Sequence, residues 1–293
     1  MVDVALDDRE WAEHWWPSPA KLNLMLNISG QREDGYHELQ TVFQLIAISD
    51  WLNFTPVNTG DIELSCSSKE LSNDANLVLR AAKLLQQHSA CPVGAKIVLK
   101  KILPMGAGLG GGSSNAATTL VVLNKVWNLG YTTQMLTTLG RTLGADVPVF
   151  IVGKSAWAEG IGDEITPMQL PEKWFVVVNS GHHCSTKDVF THKSLTRDNP
   201  AITIRDFLDG QVQNVCLPVV REMNRELDGI YKQFSRFSTV YMTGTGSSMF
   251  AKCGTRQEAV ALLEQLPESW GKWVVKGVNE SPLQTSLKQF LYP

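Results

Sequence analysis

Residues 104–115, Pro104-Met105-Gly106-Ala107-Gly108-Leu109-Gly110-Gly111-Gly112-Ser113-Ser114-Asn115, constrain this chain more than any other stretch. Five of the nine residues from Pro104 to Gly112 are glycine. Glycine weakens the interior of a helix or strand but lets the backbone take positive φ and approach a ligand closely. Before the run, residues 95–99 read as a short strand; after it, Ala116, Leu120, Leu123 and Trp127 repeat at helical spacing. A strand, a glycine loop and a helix start together present backbone N–H groups where the helix dipole favours negative charge. That is a phosphate cradle. Ser113 and Ser114 add hydroxyls that can donate to a phosphate or bind a phosphate-bridged magnesium ion.

The charge distribution agrees. Residues 75–145 contain no Asp or Glu, yet hold Arg80, Lys83, Lys96, Lys100, Lys101, Lys125 and Arg141. That segment carries +7 against −10 elsewhere, which leaves the chain at −3. A region without carboxylates suits a polyanion such as a nucleotide polyphosphate. The overall balance disfavours a nucleic-acid binder, whose footprint is basic.

The kind of phosphate loop follows by exclusion. A Walker A loop needs Gly-Lys-Ser/Thr, and no Lys follows Gly112. Gly106-x-Gly108-x-x-Gly111 fits the dinucleotide fingerprint, but that fold wants an acid about twenty residues on, and the first is Asp146. The Val-Ala-Ile-Lys and His-Arg-Asp marks of protein kinases are missing.

The rest of the chain predicts a soluble two-domain α/β or α+β protein. At 293 residues, 43% hydrophobic and 19% charged, it can bury one large or two ordinary cores. No apolar run is long enough to span a bilayer, so no membrane association is expected. The first 13 residues are acidic (Asp3, Asp7, Asp8, Glu10, Glu13), unlike a signal peptide. Five scattered cysteines without Cys-x-x-Cys suggest a reduced, cytoplasmic setting. Strands are predicted at 21–28, as a half-buried alternation, at 39–48 continuing past a bend to 51–54, and at 174–178, 239–242, 249–252 and 273–278. Asp74 can cap a helix bearing Leu77, Ala81, Leu84 and Leu85. Leu136, Leu139 and Leu143 mark a helix that Gly144 can end. A helix is predicted over 219–234, and Thr255-Arg-Gln-Glu258 is a capping box opening another. Pro167 and Pro171 place a boundary after Ile165, giving domains of 1–165 and 166–293. His182-His183-Cys184 reads as a variable loop rather than a metal site, since adjacent histidines in a strand point to opposite faces. Trp11, Trp15 and Trp16 read as an N-terminal tail docked on the first domain.

Three segments carry a resemblance. Residues 104–115 resemble the second signature of the GHMP kinases, the galacto-, homoserine, mevalonate and phosphomevalonate kinases. Pro17-Ser-Pro-Ala-Lys21-Leu-Asn23-Leu resembles their first and Thr243-Gly244-Thr245-Gly246-Ser-Ser-Met-Phe250 their third, in the family's order. Gly35-Tyr36-His37, Leu143-Gly-Ala-Asp146-Val-Pro148 and Lys276-Gly-Val-Asn279 resemble members acting on a cytidine diphosphate-linked methylerythritol, on the way to isoprenoid precursors. Asn115 stands where many members carry Asp.

The resemblance implies a ribosomal-protein-S5-domain-2-like first domain, a ferredoxin-like second one, and a soluble monomer or homodimer. It implies ATP with Mg2+, bound by residues 104–114 with Asn76, Leu77 and Lys101 near adenine or ribose. It makes Asp146 the general base toward the substrate's 2-hydroxyl and Lys21 the cation beside it. On the substrate side it implies Asn23 at the acceptor alcohol, cytosine between Tyr36 and Phe190 with His37 on its edge, and Thr186. Thr243, Gly244, Thr245 and Gly246 would wall the reacting phosphate. The magnesium ligands stay unassigned. Other small-molecule kinases of the family, mevalonate- or homoserine-type, and an inactive binding protein are the competing expectations. Tyr36, His37 and Phe190 argue against the former, and an intact loop with Lys21 and Asp146 against the latter.

Overall fold

The computed structural model describes residues 10–68, 71, 73–210 and 213–292. Asp3, Asp7 and Asp8 of the acidic N-terminal stretch lie outside them. The chain runs from a 3-10 turn, Trp11–Glu13, into β1 (Trp16–Gln31), β2 (His37–Val57), β3 (Ile62–Cys66), α1 (Leu77–Ser89), β4 (Gly94–Lys100), α2 (Gly111–Val126), α3 (Thr133–Arg141), α4 (Val147–Val152), β5 (Ala156–Glu159) and β6 (Glu164–Pro167). It continues through β7 (Trp174–Asn179), α5 (Thr186–Thr191), α6 (Ile204–Leu208), α7 (Leu217–Met223), α8 (Arg225–Phe234), β8 (Val240–Met242), β9 (Met249–Cys253), α9 (Arg256–Glu264), β10 (Gly271–Val278) and α10 (Pro282–Leu291).

β2 organises the first half. It pairs antiparallel with β1 along one edge, and with β4, β5 and the end of β10 along the other. The two predicted strands at 39–48 and 51–54 are one strand; the predicted bend is a register shift opposite Pro19 and Ala20. β1 corrects the expected alternation. Its polar residues Ser18, Lys21, Asn23 and Asn27 are buried along with Leu22, Leu24 and Leu26. One face packs on the helices of the first core; the other is covered by the second half of the chain, which strand period alone does not reveal.

The second half places β10, β7, β9 and β8 side by side, all antiparallel. Numbered by chain order from β7, the spatial order is 4-1-3-2 with helices after the first and third strands, the split βαβ arrangement. β10 joins the halves: residues 271–276 pair with β7 and residues 277–278 with β2. α10 then returns to the first core, where Leu283 and Leu287 are buried and Phe290 packs on Trp11 and Trp16 at ring distances of 4.7 and 5.1 Å. So two of the three N-terminal tryptophans dock on the body, while Trp15 stays exposed.

Several helix ends differ from expectation. Asn76, not Asp74, caps α1 by accepting from Val78 N–H; Asp74 pairs with Lys83 at the surface. α3 stops at Arg141, ahead of Gly144. The helix predicted over 219–234 is two helices, because Asn224 turns extended and its side chain caps α8. The Thr255–Glu258 capping box forms with both bonds. His182 and His183 lie in a loop, as expected. His182 bridges Ser180 and Glu226, so its ring nitrogens are taken. Among the described residues, no helix is long and apolar enough to cross a membrane.

Candidate active site

A cleft of about 600 Å³ opens where the two halves meet. Its floor is the glycine loop. Gly106, Gly108 and Gly110 all adopt positive φ, between 59° and 74°. Gly108 has no room for a side chain, since a Cβ would overlap the Thr243 carbonyl oxygen. Gly110 is the N-cap of α2, and no side chain caps that helix. The N–H groups of Gly111, Gly112 and Ser113 therefore have no partner within the helix, and all three residues line the cleft. The first turn holds no acid, so the positive end of a sixteen-residue helix faces the opening.

The loop is held from beneath by Asp50, a residue the sequence reading passed over. Its fully buried carboxylate accepts from the N–H groups of Ile102 and Leu103 at 2.7 and 2.8 Å, and from Asn115 Nδ2 at 3.0 Å. It also pairs with Lys101 Nζ at 2.5 Å. One carboxylate thus ties the chain before the loop to the helix after it. Lys101 lines the cleft, but its ammonium is committed to Asp50 and lies 3.4 Å from Asn115 Oδ1. Asn115 Nδ2 also donates to Ser18 Oγ, which in turn donates to Ser114 Oγ. Ser114 is fully buried in that chain, so of the two serines only Ser113 reaches the cleft. A lone Asp at the polar break of an apolar strand was the available signal for Asp50.

Lys21 and Asp146 meet on the cleft wall. β1 carries Lys21, whose backbone N–H donates to Leu109 O at 3.0 Å and zips the first signature to the glycine loop. Its ammonium is buried and placed by three acceptors: Asn23 Oδ1 at 2.5 Å, Gly108 O at 3.1 Å and Asp146 Oδ2 at 3.2 Å. Asp146 sits at the N-cap of α4, ahead of Pro148, but its side chain caps nothing and stays one-third exposed. A carboxylate free of capping, in contact with one buried ammonium and open to the cleft, is equipped to accept a proton. Asn23 is fixed by Thr41 Oγ1 and by Thr243, whose hydroxyl accepts the Asn23 backbone N–H. Thr243 itself is buried beneath the wall, whereas Gly244, Thr245 and Gly246 line it.

The far end of the cleft is aromatic. His37, Leu39, Thr41 and Phe43 alternate along β2 and share one face. Leu39, Thr41 and Phe43 line the cleft, and His37 extends their row. Its ring stacks on Phe190 at 5.1 Å with planes 22° apart. Burial and the neighbouring Arg197 hold the imidazole below its ordinary pKa, which favours the neutral ring at pH 7. Tyr36 is not brought in: it is 60% exposed and its ring touches no other ring among the described residues. Thr186, at the start of α5, shares a 2.9 Å hydrogen bond with Thr245 and so joins this end to the third signature. Asn76 and Leu77 line the opposite end, with Leu71 and Ala75. Arg197 was also missed; it sits in a loop with no local pattern.

The chain is similar to known proteins over almost its whole length. Residues 76–154 match the family model described as GHMP kinases N terminal domain, and residues 200–272 match GHMP kinases C terminal. A 4-diphosphocytidyl-2-C-methyl-D-erythritol kinase from Nitrosococcus oceani is 48% identical over 274 residues, covering 94% of this chain and 98% of that one. One from Methylococcus capsulatus is 47% identical, covering 93% and 94%. A crystal structure of 4-(cytidine 5'-diphospho)-2C-methyl-D-erythritol kinase superposes with a TM-score of 0.78 at 31% identity, covering 91% of this chain and all of the other.

Proposed function

The chain belongs to the GHMP kinases, and from that premise we propose that it transfers the γ-phosphoryl group of ATP to the 2-hydroxyl of 4-diphosphocytidyl-2-C-methyl-D-erythritol. Relatives near 47% identity over almost the whole chain bear that name. The observation that carries the mechanism is the contact of Lys21 with Asp146 at the rim of an uncapped helix start. Phosphoryl transfer needs positioning and charge neutralisation more than covalent help.

The N–H groups of Gly111, Gly112 and Ser113 hold the phosphates, and Asn76 and Leu77 flank the nucleoside end. Asp146 takes the proton of the acceptor hydroxyl as its oxygen bonds to the γ-phosphorus and the bond to the β-phosphate bridge breaks, releasing ADP. Lys21 holds the Asp146 carboxylate in place and faces the developing negative charge. Asn23 orients the alcohol. Among the described residues no three His, Cys, Asp or Glu cluster to hold a metal ion. Magnesium bound with the nucleotide would supply charge neutralisation, and the Ser113 hydroxyl on the cleft is the oxygen that would help to hold it. His37 and Phe190 form the base site. We divide the chain near residue 166, with the loop and the catalytic pair in the first part and the base site shared with the second. The five separated cysteines, all of them free, support a cytoplasmic setting.

The test is ATP consumption with 4-diphosphocytidyl-2-C-methyl-D-erythritol, mevalonate, homoserine and galactose in parallel. Turnover should be confined to the first, and turnover of any other in its place would overturn the assignment.

A further inference from the structure

We propose that Arg197 is a positioning residue that sets the choice of cytosine over uracil by fixing which nitrogen of His37 carries the proton. This rests on the cytidylyl-substrate reading above and goes beyond it, because Arg197 belongs to none of the signatures and does not line the cleft.

Arg197 Nε donates to His37 Nε2 at 3.1 Å. A guanidinium has only donors. Nε2 must therefore be the acceptor nitrogen, and the neutral ring carries its proton on Nδ1. In histidine, the partner of one ring nitrogen dictates the state of the other. Three of the four remaining N–H donors of Arg197 are used: Nη1 binds Leu195 O at 3.0 Å, and Nη2 binds Phe190 O at 2.7 Å and His192 O at 2.9 Å. The guanidinium is thus pinned to the C-terminal end of α5, which carries Phe190, and to the loop after it, and it cannot rotate away to let Nε2 take a proton. His37 is itself fixed by its stack on Phe190. Among the described residues no protein group bonds to Nδ1. The site offers a base one imidazole donor, with no acceptor beside it on that ring.

Cytosine and uracil differ where such a donor acts. N3 of cytosine is an acceptor; N3 of uracil carries a hydrogen. A fixed Nδ1–H meets the first with a hydrogen bond and the second with another donor. A ring free to exchange tautomers could serve either base. Discrimination by this route lies in the orientation of one proton and needs no contact between Arg197 and the substrate.

The experiment has two arms. The first is long-range 1H–15N correlation NMR of the His37 ring in the wild-type protein and in Arg197→Met. The wild type should show protonated Nδ1 and bare Nε2; the variant should show a mixture of tautomers. The second arm is kcat/KM for the cytidylyl substrate and its uridylyl analogue. Leaving a donor unpaired should favour the cytidylyl compound by roughly tenfold or more in the wild type. Arg197→Met should bring the two within about threefold, with the KM for ATP unchanged, while Arg197→Lys, which keeps a cationic donor, should restore part of the ratio. A wild-type ring protonated on Nε2 would overturn the proposal. So would an Arg197→Met enzyme that loses both substrates equally, since that is the mark of a loop prop. If the wild type turns over neither nucleotidyl substrate, the substrate reading fails and base choice falls with it. Retained turnover with an unchanged ratio sinks this inference alone.

Discussion

Gly108 rests on the backbone of Thr243: a methyl group at Gly108 would overlap the Thr243 carbonyl oxygen, and the Thr243 hydroxyl donates to the Gly108 carbonyl at 2.9 Å. The floor of the phosphate cradle and the wall formed by the other half of the chain are therefore one packed unit. Ser248 N–H, which donates to Ala107 O at 3.2 Å, extends the seam. The relative position of the two halves is set at the spot where the γ-phosphate is expected.

That packing separates glycines that shape the protein from one that faces the ligand. At Gly112 φ is not positive, and the nearest atom to an added Cβ is Leu77 Cδ1 at 3.6 Å, an ordinary contact. Gly112→Val should leave the protein folded yet obstruct the phosphates and weaken ATP binding strongly. Gly108→Ala should lower the melting temperature instead. Calorimetric ATP titration and thermal melts of both variants check this. Undiminished ATP affinity in Gly112→Val would place the phosphates elsewhere.

Asp50 is expected to matter for both stability and nucleotide affinity. Asp50→Asn keeps the shape but turns an amide donor toward Lys101 and Asn115. Removing one partner of a buried pair costs about 3–5 kcal/mol. The melting temperature should drop, and the KM for ATP should rise more than turnover falls, because the loop loses its anchor. Adding Lys101→Met to Asp50→Asn should recover part of the lost stability, as it removes the stranded charge. Thermal melts of the two variants decide; no recovery would show that Asp50 acts through the backbone N–H groups alone.

Much of this was legible because it depends on neighbours in sequence. The glycine loop, the Thr255–Glu258 capping box and the Lys21–Asn23 segment signal themselves through local backbone demands. What escaped was set by distant partners. Asp50 reads as a turn residue until residues 102–103 and Asn115 fold over it. Arg197 reads as a surface charge until His37 arrives from 160 positions away. The alternation of β1 predicted one wet face, which the second half of the chain covers. The break at Asn224 carries no Gly or Pro; the same residue that ends α7 caps α8, and propensity alone favoured one continuous helix.

Two histidines predict a dependence of stability on pH. Burial lowers the pKa of His14, which packs on Trp16 and Phe290 and bonds Ser286 Oγ, and burial with Arg197 lowers that of His37. Both bind protons less readily folded than unfolded. Stability is therefore full above the unfolded value of about 6.5 and declines as pH falls through it toward the lowered folded values. The melting temperature should decrease from pH 7.5 to 5.5. His14→Gln, which can still bond Ser286 but does not titrate, should show a shallower decrease. An identical slope would remove His14 from the effect.

Lys21 and Asp146 are expected to act as one unit on the acceptor proton. Lys21 Nζ reaches Asp146 Oδ2 at 3.2 Å while Asn23 Oδ1 and Gly108 O hold it in place, so the ammonium cannot follow the carboxylate if that moves. A positioned base contributes about 10²–10⁴-fold to an alcohol nucleophile at neutral pH. Asp146→Asn preserves shape but cannot take the proton, and turnover should fall within that range with both substrates still bound. Lys21→Met should fall similarly, because it removes the cation that positions Asp146 and meets the developing negative charge. Defects in one proton transfer do not multiply. The double variant should thus be little slower than the slower single one. The measurement is turnover of all four proteins at saturating ATP and acceptor, with affinities checked separately by calorimetry. Full multiplication would mean that Lys21 serves the phosphates and Asp146 the alcohol independently. Near-normal turnover in Asp146→Asn would leave phosphate positioning by the glycine loop as the whole of catalysis.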